Sequence, residues 1–130
     1  MTARVSKIAN VIVPVNDQDA ALRFYTEKLG LETRVDVPFG DGNRWIEVAP
    51  AGAVTTIALA PPAPGATAGG RETGITLVTI DVDAFHAQLA ERGVDVDAEV
   101  SHFGDPVPPM FWFRDLEANI LLAVEGPDAS

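Results

Sequence analysis

Apolar positions along this chain change their period twice, and each change opens a copy of one repeated unit. From Ile8 to Val15 the run Ile-Ala-Asn-Val-Ile-Val-Pro-Val is rich in β-branched residues and halts near a proline, which predicts a buried strand stopped by a missing backbone donor. Polar Asn16 and Asp17 follow, and then Ala21, Phe24, Tyr25 and Leu29 fall at i, i+3, i+4 and i+8. That spacing gives a helix one apolar face to lay on a sheet. Its acidic start suits the positive end of the helix dipole, and Lys28 and Gly30 mark its finish.

The same order returns in the second half. Gly74–Ile80 predicts a strand, and Asp81-Val82-Asp83-Ala84 opens a helix that runs to Arg92 and Gly93, so that Asp17-x-Asp19-Ala20 lies on Asp81-x-Asp83-Ala84 without a gap. After each helix the pattern alternates with period two. Leu31–Val37, Arg44–Ala49 and Val54–Ala60 predict three strands, and so do Val94–Val100, Met110–Arg114 and Ile120–Glu125. Both halves therefore read βαβββ. Residues 61–73 are rich in Pro, Gly and Ala and carry too little bulk to pack, which predicts a linker. The expectation is one α+β domain over 1–130, with module one at about 5–60 and module two at about 74–126.

Composition narrows the function. With 19 Asp and Glu against 9 Lys and Arg, the net charge of −10 opposes any polyanion, so neither nucleic acid nor an anionic membrane is an expected partner. The acidic residues are scattered, which reads as a solvated surface; the rival reading is attraction of a cationic ligand. No cysteine is present, which removes disulfides, thiolate catalysis and cysteine-held metals together. No apolar run reaches the roughly 20 residues of a membrane helix. Met1-Thr2-Ala3-Arg4 begins no secretory leader, and a cytoplasmic protein is expected.

Three pieces resemble the vicinal oxygen chelate superfamily, which includes glyoxalases, bleomycin-resistance proteins and extradiol dioxygenases. They are Ala20-x-x-x-Phe24-Tyr25-x-x-x-Leu29-Gly30, the Asp81–Ala84 start with Gly93-Val94, and Phe113-Arg114-Asp115-Leu116-Glu117-Ala118-Asn119. The run Gly40–Trp45 followed by Val48-Ala49-Pro50 is similar to a glyoxalase-like subgroup. The resemblance implies two βαβββ modules whose sheets curl into a cup. It also implies a homodimer, and four ligands for one divalent ion on strands one, four, five and eight. Carried onto this chain, those positions read Asn10, Ala58, Gly74 and Leu122. Such a set holds no metal, and no cofactor is expected.

Strand alternation then gives the rest of the implied cup: Ile12 beside Asn10, Thr56 beside Ala58, Thr76 and Val78 beside Gly74, and Ile120 and Val124 beside Leu122. Apolar walls with a few orienting polar groups describe a small-molecule pocket. Phe39, Trp45, Phe111 and Trp112 can each serve as cup wall or as core. Glu47 shares a strand face with Trp45 and is costly to place in a pure core, which favours a ligand role for both. His86 reads as a helix-surface residue, and His102 as structural or cup-facing. The function that needs least is metal-free binding of an aromatic or cationic organic compound, in sequestration or resistance. The alternative is a lyase, isomerase or dioxygenase, either metal-free with Glu47 or His102 as acid or base, or metal-dependent.

Overall fold

The computed structural model describes residues 2–127. Its elements run β1 (Asn10–Pro14), α1 (Gln18–Arg23), a π-helical turn (Phe24–Lys28), β2 (Glu32–Pro38), β3 (Arg44–Ala49) and β4 (Thr56–Ala60). The second half repeats them as β5 (Glu72–Thr79), α2 (Val82–Glu91), β6 (Asp95–Val96), β7 (Met110–Arg114) and β8 (Ile120–Glu125). Two mixed four-stranded sheets result, ordered β1-β4-β3-β2 and β5-β8-β7-β6. In each, the outer strand pairs in parallel with the last strand of its module and the other pairs are antiparallel. The fold is α+β, as the pattern predicts.

Helix starts sit where the acidic residues place them. Asp17 and Asp81 are the caps, each side chain accepting at 3.0 Å from the backbone N–H three residues on, at Ala20 and Ala84. Ala21, Phe24, Tyr25 and Leu29 are buried, and with Ile46, Val48, Ile57 and Leu59 they form the core of module one. The first helix nevertheless does not end as a regular α-helix. Leu29 donates to Phe24 and Leu31 to Tyr25, widening the last turn and rotating Phe24 and Tyr25 together into the core, with their rings 5.4 Å apart. β6 spans only two residues of the expected Val94–Val100, because the Trp112 N–H donates to the Asp97 carboxylate rather than to strand backbone and the Asp97 carbonyl is taken by His86. His86 is thus half-buried and holds a neighbouring segment, a correction to the surface reading.

The modules share one core and a polar clasp. Asp115, in the turn before β8, accepts from the Tyr25 hydroxyl at 2.7 Å across the module boundary. Burial and the neighbouring Asp115 carboxylate both push the Tyr25 pKa up, so the phenol stays a donor. Asn119 of the same turn donates to the Pro14 carbonyl, and Glu117 accepts from the backbone of Asn16 and Asp17. The segment before β5 is held too: Gly70 donates to the Glu117 carbonyl, and a Cβ on Gly69 would stand 2.3 Å from that oxygen. The predicted linker is thus pinned at its glycine end, and β5 begins two residues before the expected Gly74, at Glu72.

Replacing Tyr25 by Phe removes a buried bond to an ionised acceptor, so urea unfolding should show a loss of about 1–3 kcal/mol. Ala118 lies at φ +63° in the clasp turn. Left-handed strain on a residue with a Cβ costs about 1–2 kcal/mol, while the extra unfolded-state freedom of glycine costs about 0.4–1 kcal/mol. Ala118→Gly should therefore raise stability, by about 0.5–1 kcal/mol in the same measurement.

Candidate functional site

Each sheet turns one face to the helices and leaves the other open. In β7 the buried positions are Phe111 and Phe113, and the alternate positions Met110, Trp112 and Arg114 lie on the open face. Phe111 is fully buried between Phe85, Phe113 and the edge-on ring of His86. It is core, which corrects its reading as a cup wall: adjacent residues of a strand point to opposite faces, so Phe111 and Trp112 cannot both line one cup. In β3 the same alternation buries Ile46 and Val48 and leaves Trp45 and Glu47 half-buried on the open side.

Register assembles the open faces into rows. Across the first sheet Ile12 pairs with Ala58, Ala58 with Glu47, and Glu47 with Val35, while Trp45 pairs with Val37 and Asn10 with Thr56. Across the second, Thr76 pairs with Leu122 and Leu122 with Trp112, while Val78 pairs with Val124 and Val124 with Met110. The expected residues Asn10, Ile12, Trp45, Glu47, Thr56, Thr76, Trp112 and Leu122 thus share the face opposite the helices of their own sheet. Ile12 is 55% exposed and Val78 60%, so these faces leave apolar side chains uncovered at their edges, while Thr56 and Ala58 on β4 are buried. Val35, Val37, Met110 and Arg114 were missed by sequence reading. Alternation outward from Trp112 and antiparallel pairing of β2 with β3 are the signals that find them.

Glu47 is the polar centre of the first face. Its carboxylate accepts from the Trp45 indole N–H at 2.7 Å and from the Thr56 hydroxyl at 2.6 Å, so three residues of the expected site are hydrogen-bonded together. The Thr56 bond, then the Trp45 bond, then the charge of Lys7 hold the Glu47 pKa below the ordinary glutamate value. Among the described residues no cation lies within ion-pair distance of it. Two of about four acceptor sites on a carboxylate are used, and the others remain for a ligand. On the second face Arg114 is already held between Asp95 and Asp97 at 2.9 Å each, and is no free charge.

The other candidates lie apart from this network. Phe39 stands on the β2–β3 loop, 60% exposed and edge-on to Trp45 at 5.9 Å. His102 follows the short β6 with its side chain exposed, 3.9 Å from Asp83 at the start of α2. A polar cleft of about 520 Å³ opens elsewhere, between Val15–Asp19, Gly42–Arg44 and Pro61-Pro62. Its Arg44 is paired with both Asp19 and Asp36, and Gln18 is spent on the backbone of Arg44 and Leu59, so neither of these side chains is a free anchor.

Residues 7–115 match the family model of the Glyoxalase/Bleomycin resistance protein/Dioxygenase superfamily. The chain belongs to that superfamily. The chain is similar to TnmS3, described as an antibiotic binding protein from Streptomyces sp. CB03234, with 35% identity, 97% and 100% of the two chains covered and a TM-score of 0.83. A superfamily member from Sphaerobacter thermophilus DSM 20745 is 32% identical over 94% and 98% of the chains, with a TM-score of 0.85. The uncharacterized protein YetH of Bacillus subtilis (strain 168) is 30% identical over 126 residues, 93% of this chain and 99% of that one. The divalent ion held by some members of the superfamily does not fit this chain. Asn10 is one weak oxygen donor, Ala58, Gly74 and Leu122 supply none, and no three His, Cys, Asp or Glu side chains converge among the described residues.

The depressed Glu47 pKa fixes the sign of a pH effect. A carboxylate whose folded pKa lies below its unfolded value, here 4.5, stabilises the fold fully above that value and loses the contribution as pH falls through the folded pKa. Glu47→Gln should therefore lower the melting temperature at neutral pH. The gap to the parent should begin to close as the pH falls through 4.5 and vanish once it is below the folded pKa, in thermal melts.

Proposed function

We propose that this superfamily member binds, without a metal ion, a small organic molecule of aromatic and cationic character against the open sheet faces. The role is sequestration or resistance. The observation that carries the reading is the Trp45–Glu47–Thr56 network, a carboxylate fixed on an apolar face with no cation in ion-pair contact among the described residues. A protonated amine on the ligand completes that charge, and the indoles of Trp45 and Trp112 supply flat apolar walls. The antibiotic binding of the similar TnmS3 supports a small-molecule ligand. Glu47 held as a carboxylate is a fixed acceptor and a weak base, which favours binding over proton transfer. No helix of the described residues is long and apolar enough to cross a membrane, and we place the action in the cytoplasm.

A second copy of the chain completes the site in this reading. Ile12, Val37 and Val78 leave aliphatic surface uncovered on both sheets, and a two-fold dimer that sets one sheet face against another would cover it and enclose a ligand. Light scattering should give about twice the 13.8 kDa chain mass, and a monomer at micromolar concentration would count against it.

Titration with two flat tricyclic probes tests the ligand class. Proflavine, a cation, should bind more tightly than anthraquinone-2,6-disulfonate, an anion. Trp45→Ala and Trp112→Ala should each weaken proflavine by about tenfold or more, from lost stacking and lost apolar area. Glu47→Gln should narrow the preference for the cation. Equal affinity for both probes in the parent, or Trp variants that bind as the parent does, would overturn the reading.

A further inference from the structure

The two oxygens of Glu47 have different neighbours. Oε2 meets the Trp45 indole on the same strand, and Oε1 meets the Thr56 hydroxyl on β4. Thr56 stands opposite Asn10, the first residue of β1, and its N–H donates to the Ala9 carbonyl at 3.1 Å. Oε1 therefore lies at the corner of the sheet where the chain enters β1. The Thr55 hydroxyl fastens the same corner again, donating to the Ile8 carbonyl at 2.7 Å.

Before that corner, residues 2–9 are exposed and form no strand. Val5 is 89% exposed and Ile8 68%, so apolar packing does not hold the segment down, and its bonds to β4 are those at Ile8 and Ala9. Lys7 comes one residue before this fastening, and it makes no ion pair among the described residues. Other basic side chains of module one are committed elsewhere. Arg34 holds Glu32 and the carbonyls of Pro50 and Ala53, Arg44 holds Asp19 and Asp36, and Lys28 donates to the Arg92 carbonyl. The bonds from Thr56 and then Trp45 draw the Glu47 pKa down most, and the Lys7 charge adds to them.

We propose that residues 2–9 form a strap fastened at Ile8 and Ala9, and that its Lys7 is the displaceable counter-ion of Glu47, giving way to the positive group of an incoming ligand. The inference rests on the cation-binding reading above and deepens it, because entry becomes an exchange of one positive charge for another. A counter-ion held beyond ion-pair distance steadies the carboxylate without filling its remaining acceptor sites. A neutral molecule cannot replace that charge. Lys7 therefore sets how strongly the face prefers a cation.

Proflavine binding is followed by fluorescence for the parent, Lys7→Gln, Lys7→Glu, Glu47→Gln, the Lys7→Gln/Glu47→Gln double variant and Arg23→Gln, with molecular mass and melting temperature measured on each. Lys7→Gln should tighten binding by about two- to fivefold, the range of an exposed charge pair, and Lys7→Glu should tighten it further. Arg23→Gln removes the same charge from the exposed side of α1 and should bind as the parent does. On the Glu47→Gln background the gain from Lys7→Gln should be lost, since the lysine then has no carboxylate to attend. Without any ligand, carbon-13 titration of the Glu47 carboxyl should show its midpoint rise in Lys7→Gln and stay in place in Arg23→Gln. If the parent binds proflavine and Lys7→Gln gains no more than Arg23→Gln, the strap is overturned and the binding site stands. A gain that persists without Glu47 makes Lys7 a plain repulsion of cations, and a changed mass in Lys7→Gln makes the segment a contact between copies; either overturns the proposal. Absence of saturable proflavine binding in the parent overturns both readings.

Discussion

Much of this molecule depends on one buried carboxylate. Asp115 takes four hydrogen bonds, from the backbone of Glu117 and Asn119, the Asn119 amide and the Tyr25 hydroxyl, at 2.7–3.1 Å. Two of them shape the turn into β8, and the Tyr25 bond reaches the wide helical turn of the other module. A charge this buried is tolerable only when its lone pairs are filled, and here the filling comes from both halves of the duplication. The relative placement of the sheets is therefore tied to a side chain in the middle of a hairpin turn. Asn119 shows what that costs: its Nδ2 is shared between Asp115 and the Pro14 carbonyl, and its Oδ1 is buried with no hydrogen-bond partner among the described residues.

Local patterns in the chain anticipate the parts of the fold that local physics decides. Caps at Asp17 and Asp81, the apolar helical face through Phe24 and Tyr25 and the alternation in β3, β7 and β8 were all readable, because each depends on neighbours within a few residues. What was not readable depends on distant partners. The wide turn after Arg23 is fitted to a carboxylate more than eighty positions away, and β6 is cut short by the commitments of Asp97 to His86, Trp112 and Arg114. Phe111 illustrates a subtler gap. Its hydrophobicity suits core and cup equally, and only the parity of its strand, fixed by Trp112 beside it, decides the face.

The duplication is close in backbone and divergent in charge. Equivalent strands carry Trp45 and Glu47 in one module and Met110 and Trp112 in the other, so the first face holds an anionic acceptor beside its indole and the second does not. Arg114 does not restore the balance, since Asp95 and Asp97 hold it, and the Asp95 pKa is drawn down chiefly by that same bond. The open faces thus combine aliphatic rows and two indoles with one carboxylate that has no ion-pair partner among the described residues. Small or apolar residues at the superfamily's metal positions fit the same trend, removing charge from the centre and leaving it at Glu47.

Preorganisation links the clasp to the site. Trp45 and Glu47 each lie one position from a fully buried neighbour, Ile46, on a strand paired on both sides, and the Glu47 carboxylate is fixed by two further donors. A ligand meeting that group has little side-chain freedom to quench, so more of its contact energy appears as affinity. The loops that carry Phe39 and Phe103 are built oppositely, with left-handed glycines beside exposed rings and few bonds of their own. A rigid floor with an adaptable rim would suit the proposed binding of a flat molecule, with charge and planarity met by the floor. This division follows from where the chain spends its hydrogen bonds, which are dense at the Asp115 turn and along β3 and sparse at the two glycine tips.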